Sequence, residues 1–177
     1  MDLSQIKLLL LDVDGTMTDG SIYIMDDGTS FKRFHARDGI GVKNAMKHGV
    51  AVGIISHSLI AGAVEARAKM MGMQYCYVGQ EPKLDVLNGW LAELDITSEQ
   101  VAFIGDDVND AEIMQYVGVS ACPTDAHPDI LKVADIILKK HGGYGCVREF
   151  VDEYLLKSLK EAKSADGELS IKKGTQL

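Results

Sequence analysis

The chain is short of positive charge. It has 177 residues with 18 Lys and Arg against 26 Asp and Glu, which gives a formal net charge of −8. A protein that binds nucleic acid or an anionic membrane needs a basic face, so this balance argues against both partners. It does not exclude a small phosphorylated ligand, because such a ligand requires only local positive charge.

Long apolar runs and paired cysteines are also missing. No apolar stretch reaches the roughly 18 residues of a membrane span, and the N-terminus reaches Asp2 before any apolar run, unlike a signal peptide. Cys76, Cys122 and Cys146 are scattered and form no CxxC motif or His/Cys cluster, which argues against a zinc site. We therefore expect a protein of the reducing cytoplasm.

The order of apolar segments predicts an α/β fold. Short apolar runs typical of buried strands alternate with helical patterns, which favours a doubly wound parallel sheet. The predicted strands cover residues 7–11, 50–55, 74–78, 101–104, 119–122 and 136–138, and the predicted helices cover 39–47, 61–71, 83–94, 109–116 and 147–159. We expect one domain over residues 1–160, followed by a flexible tail over 161–177 where the apolar pattern ends.

A β-hairpin is predicted after the first strand, at about residues 20–35. Asp26-Asp27-Gly28 is a turn signal between two β-rich runs, 21–25 and 29–35. A projecting hairpin needs a partner for its edges and apolar residues, whereas a hairpin folded back on its own sheet would not. The candidates for burial against a second subunit are Ile22, Ile24, Phe31 and Phe34.

Two carboxylates leave the end of the first predicted strand, in Asp12-Val13-Asp14-Gly15-Thr16. In open α/β sheets, ligands bind at the carboxyl edge of the strands. Like charges this close repel each other, and a divalent cation would offset the repulsion. The alternative is a plain turn, since Asp and Gly are common turn residues.

Further polar residues follow later strands. Ser56 follows the second strand, Lys83 begins the helix after the third, and Asp106, Asp107 and Asp110 follow the fourth. Each has an ordinary structural explanation by itself, such as a helix N-cap, a solvated helix start or a turn. Because parallel strands share one carboxyl edge, the series predicts that these side chains converge with the two aspartates.

In this order the residues resemble the motifs of the haloacid dehalogenase-like phosphatases. Asp12 to Thr16 is similar to the first motif of that family, Ser56 to the second, Lys83 to the third, and Gly105-Asp106-Asp107 with Asp110 to the fourth. No large cap insertion is present before Ser56. That resembles the capless subgroup, whose hairpins assemble tetramers, so a homotetramer is implied.

Within that subgroup the chain resembles phosphatases of phosphorylated keto sugar acids. The likeness is carried by residues 12–20, by Arg37-Asp38-Gly39 and by the segments 142–145 and 147–149. It implies 3-deoxy-D-manno-octulosonate 8-phosphate as substrate, with a sialic-acid-type 9-phosphate as the alternative. The choice stays open because the Thr-Gly-Arg segment of the octulosonate enzymes is replaced by Ser56-His57-Ser58.

The resemblance implies catalytic and metal-binding roles. Asp12 is expected to attack phosphorus and form an aspartyl-phosphate, while Asp14 protonates the leaving oxygen and then activates water. Mg²⁺ is expected to be held by Asp12, Asp106 and the backbone carbonyl of Asp14.

Binding and supporting roles are implied for the remaining residues. Ser56 is expected to hydrogen-bond a phosphate oxygen and Lys83 to neutralise charge on the transferring group. Asp110 and Asp107 are expected to position Lys83 or the metal-bound waters. The residues expected to contact substrate are Arg37, Asp38 and His57.

Two other functions are consistent with parts of the pattern. A receiver-type phosphoacceptor also combines acids, a hydroxyl and a lysine, but its acceptor follows the middle strand and not the first. An inactive assembly domain is disfavoured because Asp12, Asp14, Lys83 and Asp106 are all present.

Overall fold

The computed structural model describes residues 2–58 and 61–173, with side-chain environments up to residue 165. The strands are β1 (Leu8–Leu11), β2 (Tyr23–Ile24), β3 (Ser30–Phe31), β4 (Ala51–His57), β5 (Tyr75–Gly79), β6 (Val101–Ile104), β7 (Val119–Cys122) and β8 (Ile136–Ile137). The α-helices are α1 (Ala36–Lys47), α2 (Gly62–Met71), α3 (Lys83–Leu94), α4 (Ala111–Tyr116), α5 (Pro128–Val133), α6 (Cys146–Glu149) and α7 (Leu156–Lys173).

Six strands form one parallel sheet in the order β5-β4-β1-β6-β7-β8. The central strand β1 pairs with β4 on one side and β6 on the other. This confirms the predicted α/β fold. The sequence order reverses at β1, so the crevice where ligands bind such sheets lies at the end of this strand.

The leucines of β1 are buried on both faces of the sheet. Leu9 and Leu11 pack in the cluster that also holds residues of α1, α2 and α6. Leu8 and Leu10 pack on the other face, with residues of α3, α4 and α5. Fully burying a leucine contributes about 1.5–3 kcal/mol, so β1 is strongly anchored and the loop that follows it starts from a rigid base.

The hairpin is a separate antiparallel sheet of two short strands, β2 and β3. Its strands are shorter than predicted, and the rings of Tyr23 and Phe31 stack at 4.7 Å between centroids. It does not fold back on the main sheet: Ile22 is 80% exposed and Ile24 is 71% exposed. Of the four predicted contact residues, only Phe34 packs against the core of its own chain.

Two helices differ from the sequence prediction. α1 begins at Ala36 rather than at residue 39, because Nδ1 of His35 accepts a hydrogen bond from the backbone N–H of Arg37 and caps the helix. α5 was not predicted. It has six residues, too few for a helical period to be visible, and it begins with Pro128 after the capping side chain of His127.

The predicted helix 147–159 is three consecutive segments. α6 is followed by a π-helical stretch, Phe150–Leu155, and then by α7. α7 continues past the expected domain boundary at residue 160 to Lys173. The flexibility of 161–177 stays a prediction, and residues 174–177 lie outside the described part of the chain. None of the described helices is both long and apolar enough to cross a membrane.

Candidate active site

The loop after β1 folds tightly at the carboxyl edge of the sheet. The backbone N–H of Asp12 continues the sheet by donating to the carbonyl of Ile104 at 2.9 Å. The carbonyl of Val13 then accepts from the N–H groups of the three residues 16–18. Gly15 has φ +86°, a left-handed conformation that glycine adopts without strain. The turn places Asp12 inside the molecule and leaves Asp14 partly exposed at the surface.

Lys83 joins the first and fourth predicted motifs. Its Nζ lies 2.6 Å from Oδ1 of Asp12 and 2.5 Å from Oδ1 of Asp110. Burial alone would lower the pKa of this lysine, but the two carboxylates outweigh burial and the net pKa is raised. Lys83 is therefore held as a cation at the end of β1.

The buried acids carry more charge than one lysine can balance. Burial and the neighbouring Asp110 raise the pKa of Asp12 well above its usual value, against the opposing effect of Lys83. Burial and Asp110 likewise raise the pKa of Asp106 to about 7. Three carboxylates lie together, and a single ammonium group contacts two of them, so a further cation would be stabilised here.

A metal ion fits this cluster. Asp12, Asp106 and Asp110 each offer a carboxylate oxygen, and these oxygens lie within 4.8 Å of one another. Both oxygens of Asp110 already accept hydrogen bonds, Oδ1 from Lys83 and Oδ2 from the backbone N–H groups of Asp106 and Asp107. Asp12 and Asp106 are therefore the side chains best placed as ligands, and carboxylate oxygens are what Mg²⁺ prefers.

Two neighbours of this cluster act through hydrogen bonds. The hydroxyl of Thr16, a residue to which the sequence assigned no role, donates to Oδ1 of Asp106 at 3.1 Å. Asp107 is exposed and its side chain accepts from the N–H of Val108, capping the short 3₁₀ helix 108–110. Thr16 thus orients a candidate metal ligand, while Asp107 supports the loop.

Asp14 lies outside the buried cluster. Its side chain is 43% exposed, and Oδ1 pairs with Nζ of Lys32 at 2.5 Å. Lys32 was not predicted as a site residue, and no sequence signal pointed to it. It lies 18 residues after Asp14 in the sequence, and only the folded hairpin brings the two side chains together. Asp14 is therefore the more exposed of the two aspartates of the first motif.

The second motif lies at the end of β4. Ser56 is 1% exposed and pairs in register with Val78 of β5. His57 is exposed, and its Nε2 donates to the carbonyl of Glu81 at 2.8 Å, which ties this loop to the segment before Lys83. Residues 59 and 60, which follow Ser56-His57-Ser58, lie outside the described residues.

Arg37 and Asp38 occupy the first turn of α1 but different environments. Oδ1 of Asp38 accepts from the backbone N–H of Arg148 at 2.8 Å, and burial raises the pKa of this carboxyl. Its contacts are with α6 rather than with the acidic cluster. Arg37 is exposed and lines a basic cavity of about 540 Å³ with Lys139, Lys140, His141 and Tyr144.

The loop 141–145 packs directly on the loop that follows β1, residues 12–20, which is the candidate catalytic loop. The N–H of Gly143 donates to the carbonyl of Thr16 at 2.9 Å. A Cβ atom on Gly142 would lie 1.7 Å from the carbonyl oxygen of Gly15, so only glycine fits there. This close approach explains the paired glycines of the sequence and places the basic cavity beside the site.

Known proteins are similar to this chain in both sequence and fold. Residues 80–150 match the haloacid dehalogenase-like hydrolase family. The 3-deoxy-D-manno-octulosonate 8-phosphate phosphatase KdsC of Escherichia coli strain K12 is 41% identical over 160 residues, which cover 89% of this chain and 85% of that protein.

Solved structures of proteins with the same name superpose closely on this chain. The 3-deoxy-D-manno-octulosonate 8-phosphate phosphatase of Yersinia pestis superposes with a TM-score of 0.85 at 38% identity, covering 91% of this chain and 86% of the other. The Moraxella catarrhalis phosphatase of the same name, in complex with magnesium ion, phosphate ion and KDO, superposes with a TM-score of 0.85 at 32% identity, covering 94% and 95%. The chain therefore belongs to the haloacid dehalogenase-like hydrolases, in the family that contains these octulosonate 8-phosphate phosphatases.

Proposed function

We propose that the protein hydrolyses 3-deoxy-D-manno-octulosonate 8-phosphate to the free sugar acid and phosphate, with Mg²⁺ as cofactor. The observation that carries the proposal is the contact of Lys83 with Asp12 and Asp110 beside Asp106, at the switch point of the parallel sheet. The relatives of that name, at 41% identity over most of the chain, support the substrate.

In the first step Asp12 attacks phosphorus. Lys83 contacts Oδ1 of this carboxylate, and the carboxylate oxygen of Asp12 that does not bind the metal acts as the nucleophile. The bond from phosphorus to the sugar oxygen breaks, and Asp14 donates a proton to that oxygen. The products are an aspartyl-phosphate on Asp12 and the released sugar acid.

In the second step water attacks the aspartyl-phosphate. Asp14, now deprotonated, accepts the proton of the water, and the bond between phosphorus and the carboxylate oxygen of Asp12 breaks. Phosphate leaves, and both aspartates return to their starting states. Lys83 stabilises the negative charge on the phosphoryl oxygens in both steps, and Ser56, at the end of β4, is proposed to donate a hydrogen bond to one of them.

Magnesium is proposed to be bound by Asp12 and Asp106, with the backbone carbonyl of Asp14 as a further ligand. When bound, the ion offsets the repulsion between the anionic nucleophile and the anionic phosphate. Thr16 and Asp110 hold the ligand loops in place through their hydrogen bonds to Asp106.

The basic cavity is proposed to receive the carboxylate end of the sugar acid. Arg37, Lys139 and Lys140 form no ion pairs among the described residues, so their charges are available to an anion. An arginine can bind a carboxylate through two hydrogen bonds. Asp38 is proposed to act indirectly, by fixing the start of α1, and His57 by fixing the loop next to Lys83.

A homotetramer built through the hairpin is the proposed assembly. Ile24 is 71% exposed, Met25 53% and Phe31 50%, an apolar set that would be costly to leave in water. A location in the cytoplasm remains part of the same proposal.

The substrate is tested by comparing kcat/KM for 3-deoxy-D-manno-octulosonate 8-phosphate and for a sialic-acid-type 9-phosphate, each with Mg²⁺ and with excess chelator. We expect the eight-carbon substrate to be preferred and chelation to stop turnover. A preference for the nine-carbon substrate would select the alternative, and turnover that persists in chelator would contradict the metal role.

A further inference from the structure

Lys32 makes an unusual contact for a residue of a projecting hairpin. Its Nζ lies 2.5 Å from Oδ1 of Asp14, and its side chain is only 16% exposed although the hairpin itself is open to solvent. An exposed lysine normally gains little from an ion pair, because ordering its long side chain costs entropy. Here the lysine side chain is already largely buried against the catalytic loop, so less entropy is lost and the contact can fix the orientation of the Asp14 carboxylate.

The two oxygens of Asp14 have different environments. The hydroxyl of Thr18 lies 3.5 Å from Oδ1, the same oxygen that Lys32 contacts. Among the residues that the structure describes, no hydrogen bond reaches Oδ2. One oxygen of this carboxylate is therefore anchored, and the other belongs to a partly exposed side chain and has no hydrogen-bond partner among these residues.

The base of the hairpin is fixed by the residue next to Lys32. Arg33 places its Nη2 2.9 Å from Oδ2 of Asp19 and its guanidinium 4.6 Å from the ring centroid of Tyr144. The hairpin is thus attached to the catalytic loop and to the loop 141–145. These contacts keep Lys32 directed at Asp14.

We propose that Lys32 is a positioning residue that holds Oδ1 of Asp14, so that Oδ2 carries the proton in both steps. This inference rests on the proposed function, in which Asp14 is the acid and base. The proton leaves Oδ2 for the sugar oxygen as the phosphorus–oxygen bond breaks, and a proton of the attacking water returns to Oδ2. The charge of Lys32 stabilises the carboxylate that each donation leaves behind.

The experiment uses two leaving groups. A sugar oxygen needs a proton to leave, whereas p-nitrophenolate leaves without one, and kcat/KM reports the step in which the leaving group departs. For Lys32→Met, misplacement of the acid should lower kcat/KM for the sugar acid 8-phosphate about tenfold to a hundredfold. The value for p-nitrophenyl phosphate should fall by less than about threefold, since only the acid-dependent part is lost.

Three matched variants separate the explanations. Asp14→Asn should show the same selective loss of kcat/KM for the sugar acid 8-phosphate. Lys32→Arg should keep part of the activity on the sugar acid that Lys32→Met loses. Lys69→Met, which removes an exposed lysine of α2, should change kcat/KM for neither substrate. The solution mass of Lys32→Met should equal that of the wild type, which separates positioning from assembly.

Equal losses on both substrates in Lys32→Met, or no loss on either, would overturn the positioning role. Equal losses in Asp14→Asn would instead overturn the proposed acid role of Asp14. If the wild type hydrolyses p-nitrophenyl phosphate but not the sugar acid, the proposed substrate is wrong, and glucose 6-phosphate serves as the alkyl ester in the same comparison.

Discussion

Gly15 and Asp106 approach so closely that no side chain fits between them: a Cβ atom on Gly15 would lie 1.9 Å from Oδ2 of Asp106. The glycine of the first motif therefore makes room for the carboxylate of the fourth. The contact joins two loops that are some ninety residues apart in sequence, and it positions a proposed metal ligand.

Replacing Gly15 by alanine should displace Asp106 and abolish most Mg²⁺-dependent turnover. The substitution also forces alanine into a left-handed conformation, which costs about 1–2 kcal/mol. Gly28→Ala is the control, because Gly28 has a similar φ of +82° but no atom within 4 Å of the added Cβ. Activity assays and urea unfolding should show that Gly28→Ala loses a little stability and no activity. Equal activity in the two variants would contradict the role of the close contact.

Asp12→Asn should reduce turnover by about 10⁴-fold or more, the size of loss seen when a catalytic nucleophile is removed. The amide has nearly the same shape, so the circular dichroism spectrum should not change. Asp85→Asn, at an exposed position of α3, should leave kcat near the wild-type value. Appreciable multiple turnover by Asp12→Asn would exclude this residue as the nucleophile.

Lys83→Met should both inactivate and destabilise the protein. Removing one partner of a buried ion pair costs about 3–5 kcal/mol, because the remaining charge is left without compensation. Adding Asp110→Asn to Lys83→Met removes one of the stranded carboxylates and should recover part of the free energy of unfolding but none of the activity. Urea unfolding measures the first effect and phosphate release the second. An unchanged unfolding midpoint in Lys83→Met would show that the contact contributes nothing to stability.

Magnesium affinity should increase with pH up to about 7. Without metal, the pKa of Asp106 is raised to about 7, so below that pH the metal must displace a proton from this carboxyl. The apparent Kd should then fall as the pH rises towards 7, by about tenfold per pH unit for each proton that the metal displaces. Calorimetry in buffers of different ionisation enthalpy measures the released proton. A flat Kd between pH 5.5 and 7 would contradict this assignment.

The same shift has a defined effect on stability without metal. The folded pKa of Asp106 lies above the unfolded value of 3.8, so between these values the folded state binds more protons than the unfolded state. The contribution of this group to the free energy of unfolding should fall as pH rises from about 4 to 7. The pH dependence should be weaker in Asp106→Asn and in saturating Mg²⁺.

Ile24→Glu should dissociate the proposed tetramer. A carboxylate in the apolar contact between hairpins would have to be buried without a partner. Met70→Glu is the control, because Met70 is similarly exposed, at 69%, but lies on α2. Light scattering after gel filtration measures the mass. A tetrameric mass for Ile24→Glu, or a monomeric mass for the wild type, would contradict assembly through the hairpin.

Local chemistry made the fold and the acidic cluster predictable. The apolar run of β1 is buried on both faces, and because parallel strands end at one edge, Asp12, Lys83, Asp106 and Asp110 had to lie near one another. Element boundaries were less accurate. α1 begins three residues early because the ring of His35 caps it, and α5 is too short to show a helical period.

Contacts between distant segments had no comparable signal. In the sequence, Lys32 is an ordinary lysine in a β-rich run and Thr16 an ordinary hydroxyl residue of the first motif. Their roles follow from the contacts of Lys32 with Asp14 and of Thr16 with Asp106, which exist only in the folded protein. The same holds for the basic cavity, which Arg37 of α1 and residues 139–144 form together.

The sequence by itself determined the alternation of strands and helices along the chain, the parallel sheet and the convergence of the buried acids on Lys83. It could do so because burial patterns and strand ends are local properties. Only the tertiary structure decided which oxygen of Asp14 is anchored, that Asp107 caps a helix while Asp110 holds Lys83, and that the hairpin projects. The physical reason is that these outcomes depend on distances of a few ångströms between side chains from separate elements, and no local pattern encodes such distances.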